Sequence, residues 1–233
     1  MSDKNKQTDI AAQRIKEDIL NCVLPPDSQL KISELSKKYD LSGTPIREAL
    51  NKLSISGLIL IKPMRGFFVA PVSIKEMQDI YNSRLIIDTE ILKLAMKNGD
   101  DAWEANIIAK LYQFNKYKES PLYDFNTWQD KIHDVHLAMM AACNSPTLQK
   151  IHTLLFNQSE RYRIIWYKKI FHKDTLKASS KKQIHTEEEN LLEPLTKAVI
   201  KRDEKLVSKI FQKKIIDCTS NITKKLTEIG IEY

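Results

Sequence analysis

Apolar residues recur at helical spacing along nearly the whole chain, and the pattern changes in one short interval around residue 60. From about Asp9 to Val23, Ile15, Ile19, Cys22 and Val23 share one helical face, and Pro25-Pro26-Asp27 then stops the pattern and starts a turn. Leu30, Ile32, Leu35 and Tyr39 support a second, short helix that ends at Asp40. A third helix opens around Thr44, which can cap it. Pro45 suits its first turn, and Ile46, Ala49, Leu50 and Leu53 fall at i, i+3, i+4 and i+7. This helix ends near Ser56 and Gly57, after which Leu58 to Ile61 and Phe67 to Ala70 become β-type runs around Pro63-Met-Arg-Gly66. Three helices followed by a two-stranded wing, over residues 1–72, predict a winged helix-turn-helix.

Beyond it the helical period returns and holds to the end. Ser73-Ile-Lys-Glu76 has the form of a capping box, so a long helix should start there. Breaks fall at Asn98-Gly99-Asp100, at Glu119-Ser-Pro121 and at Asn144-Ser-Pro146, with no strand alternation between them. The expected fold is therefore mainly α: the N-terminal winged helix-turn-helix and, over residues 73–233, an antiparallel all-helical bundle.

With its apolar stripe facing a core, the third helix leaves Ser42, Thr44, Arg47, Asn51 and Lys52 at its tip or on its other side. Hydroxyls, an amide and a guanidinium at the N-terminal end of such a helix suit the edges of base pairs in a DNA major groove. The net charge of +7 in 233 residues agrees with a polyanionic partner without demanding one. Three scattered cysteines, Cys22, Cys143 and Cys218, make neither a disulfide framework nor a zinc finger, and each sits in an apolar helical pattern that predicts a buried thiol. No signal peptide and no membrane span is legible, so a soluble, cytoplasmic protein with no membrane partner is expected. Gly-rich phosphate loops, His-Glu-x-x-His and a nucleophile elbow are all missing from the sequence, which argues against an enzyme. A winged-helix protein-interaction module is the alternative to a DNA reader.

The first domain resembles the GntR family of bacterial transcriptional regulators. The resemblance rests on Pro25-Pro26-Asp27-Ser28-Gln29-Leu30, Glu34-Leu35-Ser36, Leu41 through Leu50, Gly57-Leu58 and Arg65-Gly66-Phe67-Phe68-Val69. It implies a homodimer whose recognition helices and wings read a pseudo-palindromic double-stranded operator. Lys31, Ser42, Thr44, Pro45, Arg47, Asn51, Lys52, Arg65 and Gly66 would form its contact face. Lys37, Lys38 and Lys62 can add phosphate neutralisation. Gly43 departs from the pattern, since the family usually carries an Arg there that touches DNA; Arg47 and Arg65 are left as the main guanidinium contacts.

The second region resembles the FCD ligand-binding domain of the FadR branch and looks most like the carbon-starvation-induced regulators. The matching residues are Tyr81-Asn-Ser-Arg84 with Asp88, Gly99 through Glu104, Trp128 with His136, Ala141 through Pro146, Ser159 through Arg163 and Ala198 through Asp203. Many FCD domains bind a divalent metal through four side chains. At the corresponding positions this chain has Ile132, His136, Leu192 and Lys214, so no cofactor and no metal in the cavity is expected. A displaced site built from His133, His136 and His185 is the alternative. Periodicity turns Arg84, Asp88 and His136 inward and sets Arg161 at the edge of the stripe Leu154, Leu155, Gln158, Tyr162 and Ile165. Arg84 with Asp88 reads either as a structural ion pair or, with Arg161, as the clamp of a carboxylate. Arg84, Asp88, His136, Arg161 and Lys214 together favour a small anionic metabolite such as an organic acid. An acyl-coenzyme A or a metal-dependent effector is the alternative within the family. Repression relieved by that metabolite is the expected sign of control.

Overall fold

A computed structural model describes residues 3–119, 125–171, 186–228 and 230. The chain forms two compact units, one of Met1–Ile80, Leu154–Thr175 and Ile222–Tyr233, the other of Tyr81–Thr153 and Leu176–Asn221.

In the first unit, α1 (Asp3–Leu20), α2 (Ile32–Tyr39) and α3 (Gly43–Ile55) precede two hairpin strands, β2 (Ile59–Lys62) and β3 (Gly66–Val69). Both α1 and α2 pack on α3. Its predicted stripe is the core of the domain: Ile46, Ala49 and Leu50 expose no surface and Leu53 almost none. Burying a side chain of this size stabilises a fold by roughly 1.5–3 kcal/mol, so the stripe fixes which face of α3 turns outward. Three local expectations are corrected. First, α1 begins earlier and stops at Leu20, because Cys22 adopts a left-handed backbone (φ 56°); Cys22 is only half-buried and Val23 is exposed. Second, Leu30 belongs to no helix. With Gln29 it forms β1 (Gln29–Leu30), paired antiparallel with β3, so the wing is a three-stranded sheet of order β1-β3-β2. Third, Ser42 occupies the N-cap position of α3 without a side-chain capping bond, which places Thr44 inside the first turn. The expected stop of α2 at Asp40 is present as a left-handed C-cap (φ 55°).

Asp18 ties α1 to α2. It accepts a hydrogen bond from the Tyr39 hydroxyl (2.7 Å) and an ion pair from Lys38 (2.7 Å). Burial works to raise its pKa, but these two partners outweigh burial and hold the carboxyl below its usual 3.8.

α4 (Ile74–Asn98) starts as expected at Ser73, whose hydroxyl accepts from the Glu76 amide (3.3 Å). The reciprocal half of the capping box is not what Glu76 is used for: its carboxylate accepts from Arg161 Nη2 (2.7 Å) and from the Tyr162 hydroxyl. Those two residues lie on α7 (Pro146–Phe171), and the same turns of α7 hold two further contacts inside this unit. Glu160 pairs with Lys16 of α1 (3.0 Å), and Gln158 packs on Gly57 at the end of α3.

In the second unit, α4 continues beside α5 (Asp101–Lys118), α6 (Phe125–Met140), a 3-10 turn (Ala141–Cys143), the first turns of α7, then α8 (Thr186–Ile200) and most of α9 (Glu204–Glu228). The breaks at residues 98–100 and 144–146 fall between helices as predicted; the one at 119–121 closes α5 and runs into residues outside the described ones. Asp100 caps α5 by accepting from the Trp103 amide (2.8 Å), and the Trp103 indole donates to the Ala138 carbonyl on α6 (2.9 Å). Gly99 is required here for space, since a Cβ would lie 2.1 Å from the Trp103 ring. Arg202, after α8, donates to the Gly99 carbonyl (3.0 Å) and the Met96 carbonyl (3.1 Å), tying α4, α5 and α8 together. All three cysteines are free; Cys143 is buried, while Cys218, against expectation, is only half-buried and donates to the Tyr81 hydroxyl (3.6 Å). No helix among the described residues is long and apolar enough to cross a membrane.

Gly57 combines two constraints. Its backbone is left-handed (φ 75°), and a Cβ would meet Gln158 Nε2 at 2.5 Å. Gly57→Ala is therefore expected to lower stability by at least about 1–2 kcal/mol from backbone strain alone. In thermal melts, adding Gln158→Ala should restore part of that loss by relieving the collision and leave the backbone part in place.

Candidate functional site

The outward face of α3 carries the predicted DNA-binding residues. Ser42, Thr44, Arg47, Asn51 and Lys52 are exposed, whereas Pro45 is buried and acts as part of the helix's first turn. Their electrostatic settings differ. Lys52 pairs with Asp9 of α1 (2.9 Å), Lys31 with Glu34 (2.8 Å), Lys38 with Asp18 and Lys62 loosely with Asp27 (3.9 Å). Arg47 and Lys37 make no ion pair among the described residues. Exposed pairs of this kind are worth little, so a phosphate can displace the acid, but each such exchange returns less than an uncommitted cation would. In the wing, Lys62 and Arg65 sit over the Phe68 ring at 4.4 and 5.3 Å, and the Arg65 carbonyl accepts from Gln29 (2.9 Å). Pro63 through Gly66 turns the hairpin, with Met64 (φ 57°) and Gly66 (φ 85°) both left-handed and Met64 wholly exposed. This places a guanidinium and an apolar side chain together at the wing tip.

In the second unit, ionisable groups gather among α4, α6, α7 and α9. Asp88 exposes no surface. One of its oxygens accepts from Arg84 Nε one turn earlier on α4 (3.3 Å), and the other lies 2.7 Å from His152 Nδ1 on α7. The structural reading of Arg84 with Asp88 is thus realised in this geometry, and His152 is a participant the sequence reading missed. A signal for it was present: Leu148, His152, Leu155, Ser159 and Tyr162 fall at core spacing along α7. His152 also borders a cleft of about 210 Å³ with Ile91, Leu137 and Met140, and so gives a mainly apolar recess one imidazole.

His136 points inward, as its stripe predicted. Its Nδ1 lies 2.8 Å from the Ile132 carbonyl, and its Nε2 lies 2.7 Å from Lys214 Nζ. One tautomer fits both contacts: Nδ1–H donates to the carbonyl and Nε2 accepts from the ammonium. Burial first, and then the charge of Lys214, push the His136 pKa well below its usual value, so the imidazole is neutral. Arg84 adds to the positive potential felt at His136.

Arg161 lies in the first unit, buried against Glu76 and Tyr162. Burial, and less strongly the bond to Glu76, push the Tyr162 hydroxyl up to about 12 despite the neighbouring guanidinium. The stripe assigned to this helix also needs correction, since Leu154 is exposed, while the side chain of Ile165 lies outside the described residues. His133 is half-buried and stacks on His152 with ring centroids 6.4 Å apart. His185 lies outside the described residues.

A three-helix reader with a wing, followed by a helical domain with a buried charged centre, defines a ligand-responsive transcription regulator. The comparisons agree with that class. Residues 7–69 match the family described as bacterial regulatory proteins, gntR family, and residues 79–212 match the FCD domain. The chain belongs to the GntR family, in its FCD-containing branch, and is a transcriptional regulator, not an enzyme. It is 28% identical to the Escherichia coli HTH-type transcriptional repressor GlaR over 87% of this chain and 89% of that one. To the HTH-type transcriptional regulator BphR of Paraburkholderia xenovorans it is 34% identical over 65% of this chain and 63% of that one. The solved structure of E. coli McbR/YncC covers 97% of the chain with a TM-score of 0.72 at 18% identity, which shows a shared fold. Regulators of this kind bind DNA and small-molecule effectors.

The different settings of the two cations on α3 lead to different expectations. Arg47→Ala should cost about 1–3 kcal/mol on a specific site through loss of a base contact. Lys52→Ala should weaken binding to all sequences by a similar, smaller factor and flatten the salt dependence. Gel shifts on matched and scrambled promoter DNA at two salt concentrations separate these effects; equal small losses would place the reading face elsewhere. At Gly43 the backbone is ordinary helix, and an added Cβ meets only the Ile32 Cγ2 methyl, at 3.3 Å. Gly43→Arg, which restores the residue usual in the family, is therefore expected to raise DNA affinity in the same assay.

Proposed function

We propose that this regulator is a homodimeric repressor that reads a short pseudo-palindromic operator and releases it on binding a small organic acid. The observation that carries the effector class is the 2.7 Å contact between Lys214 and a neutral His136 in a bundle where Arg84 adds further positive potential. Two cations, Lys214 and Arg84, bear on one buried imidazole there, which favours an anion over a sugar or a cation as ligand. Repression follows the sign named for GlaR, and dimerisation follows from the need of so small a reader for two half-sites.

Ligand and DNA affinities must be coupled reciprocally: the factor by which the acid weakens DNA binding is the factor by which DNA weakens acid binding. The test has two parts. Sedimentation of the full chain with operator DNA should give two chains per site, and one chain on a single half-site would sink the dimer. Thermal melts against a panel of organic acids should raise the midpoint for one class of acid, because a ligand that binds only the folded state stabilises it by mass action. That same acid should release DNA in a gel shift. An acid that stabilises the protein and tightens DNA binding would reverse the sign proposed here.

A further inference from the structure

α5 (Asp101–Lys118) carries apolar residues on two opposite faces. Trp103, Ile107 and Phe114 are buried on the side that packs against α6 and α8. The other side is open. Asp101, Ala105, Ile108, Ala109, Tyr112 and Lys116 fall at i, i+4, i+7, i+8, i+11 and i+15, one helical stripe about 100° wide. All six are exposed, and Ile108 and Tyr112 show 55% and 65% of their surface to solvent. Single apolar side chains on a surface are ordinary, but these two lie one turn apart with alanines beside them, so the exposed apolar area is continuous. A helix that is apolar on both faces is one that buries both. The charges near the stripe divide in the same sense. Glu104 pairs with Arg202, and Lys110 pairs with Asp134 (3.0 Å). Asp101 and Lys116, at the two ends of the stripe, make no ion pair among the described residues.

We propose that this stripe is an interface between two copies of the chain, with α5 packed antiparallel on α5 of the second copy. This rests on the homodimer of the preceding section and names a surface that makes it. The argument is self-complementarity. Consider the antiparallel register that sets Ile108 opposite the partner's Ala109. It also sets Ala105 opposite the partner's Tyr112 and Asp101 opposite the partner's Lys116, and the two-fold axis repeats every pair. Each large side chain then meets a small one, and each end charge meets its opposite. Alanine at 105 and 109 lets the two helix axes approach toward the short end of the usual range of about 8–10 Å, and the ring of Tyr112 fills the space that Ala105 leaves. A parallel pairing about a two-fold would set Asp101 against Asp101 and Lys116 against Lys116, which repels at both ends. The stripe therefore fits a second copy of itself in one direction only.

The experiment is sedimentation of the full-length protein over a dilution series, without DNA. Wild type should be a dimer. Ile108→Glu with Tyr112→Glu should raise the dimer dissociation constant by about 30-fold or more, the loss typical of a central aromatic anchor, with helical content unchanged by circular dichroism. Should that variant lose its helix, Ala109→Arg on the same exposed stripe reads the interface from an independent position. Wild-type dimer affinity in these variants would overturn the proposal and leave the homodimer standing, held by another surface. A wild-type chain that stays monomeric at every concentration would sink both. The register has its own arm. Asp101→Lys and Lys116→Asp should each weaken the dimer severalfold, and the two together in one chain should recover most of the loss. Fifteen residues apart, these side chains are separated by about 22 Å along α5, so they cannot pair within one chain and any recovery comes from the second copy. A double reversal no better than the single ones would overturn the antiparallel register.

Discussion

Asp88 sets the electrostatic problem that the helical unit has to solve. A carboxylate with no exposed surface costs several kcal/mol unless each oxygen is answered, and here both are, by Arg84 on one side and His152 on the other. The first comes from one turn earlier on the same helix and the second from 64 residues along the chain, so the acid fastens α7 to α4 within this unit. Arg84 is thereby committed in part to Asp88. Lys214 also reaches a side chain on another helix, its Nζ lying 2.7 Å from Nε2 of His136, whose imidazole burial and the lysine's charge keep neutral.

The reader domain divides its cations in a related way. Much of the chain's net charge of +7 lies in lysines, and around α3 several of these are held by nearby acids, Lys52 by Asp9 and Lys38 by Asp18 among them. Arg47, in contrast, stands on the exposed face of the helix whose opposite face is fully buried, with no acid competing for it among the described residues. Counting basic residues therefore overstates the number that meet DNA at full strength, and the geometry ranks them.

Helices were legible because burial of one face imposes a 3.6-residue period, and that period survives wherever the face is continuous, as in the stripe from Ile46 to Leu53. The failures have specific causes. A two-residue strand such as Gln29–Leu30 has no period to detect and exists only because β3 pairs with it, so Leu30 was assigned to the helix that follows. Glu76 matched a local capping rule, yet its carboxylate is taken by Arg161 and Tyr162, some 85 positions away. His152 escaped because a lone polar residue at core spacing resembles a helix surface until its partner is known. Within the candidate centre, the inward direction of Arg84, Asp88 and His136 followed from periodicity. The pairing of His136 with Lys214 depends on how α9 packs, and sequence spacing does not encode that.

The contact between Gln158 and Gly57 carries a consequence for how this protein can vary over generations. The two residues are 101 positions apart, yet a Cβ at one would overlap the amide of the other. A larger residue at position 57 must overcome two barriers, the left-handed backbone and the side chain of Gln158, and a shorter residue at position 158 removes only the second. Because Gly57 closes the recognition helix and Gln158 belongs to α7, drift in the reader is tied to drift in a helix outside it. Among descendants of this chain, position 57 should stay glycine even where position 158 varies.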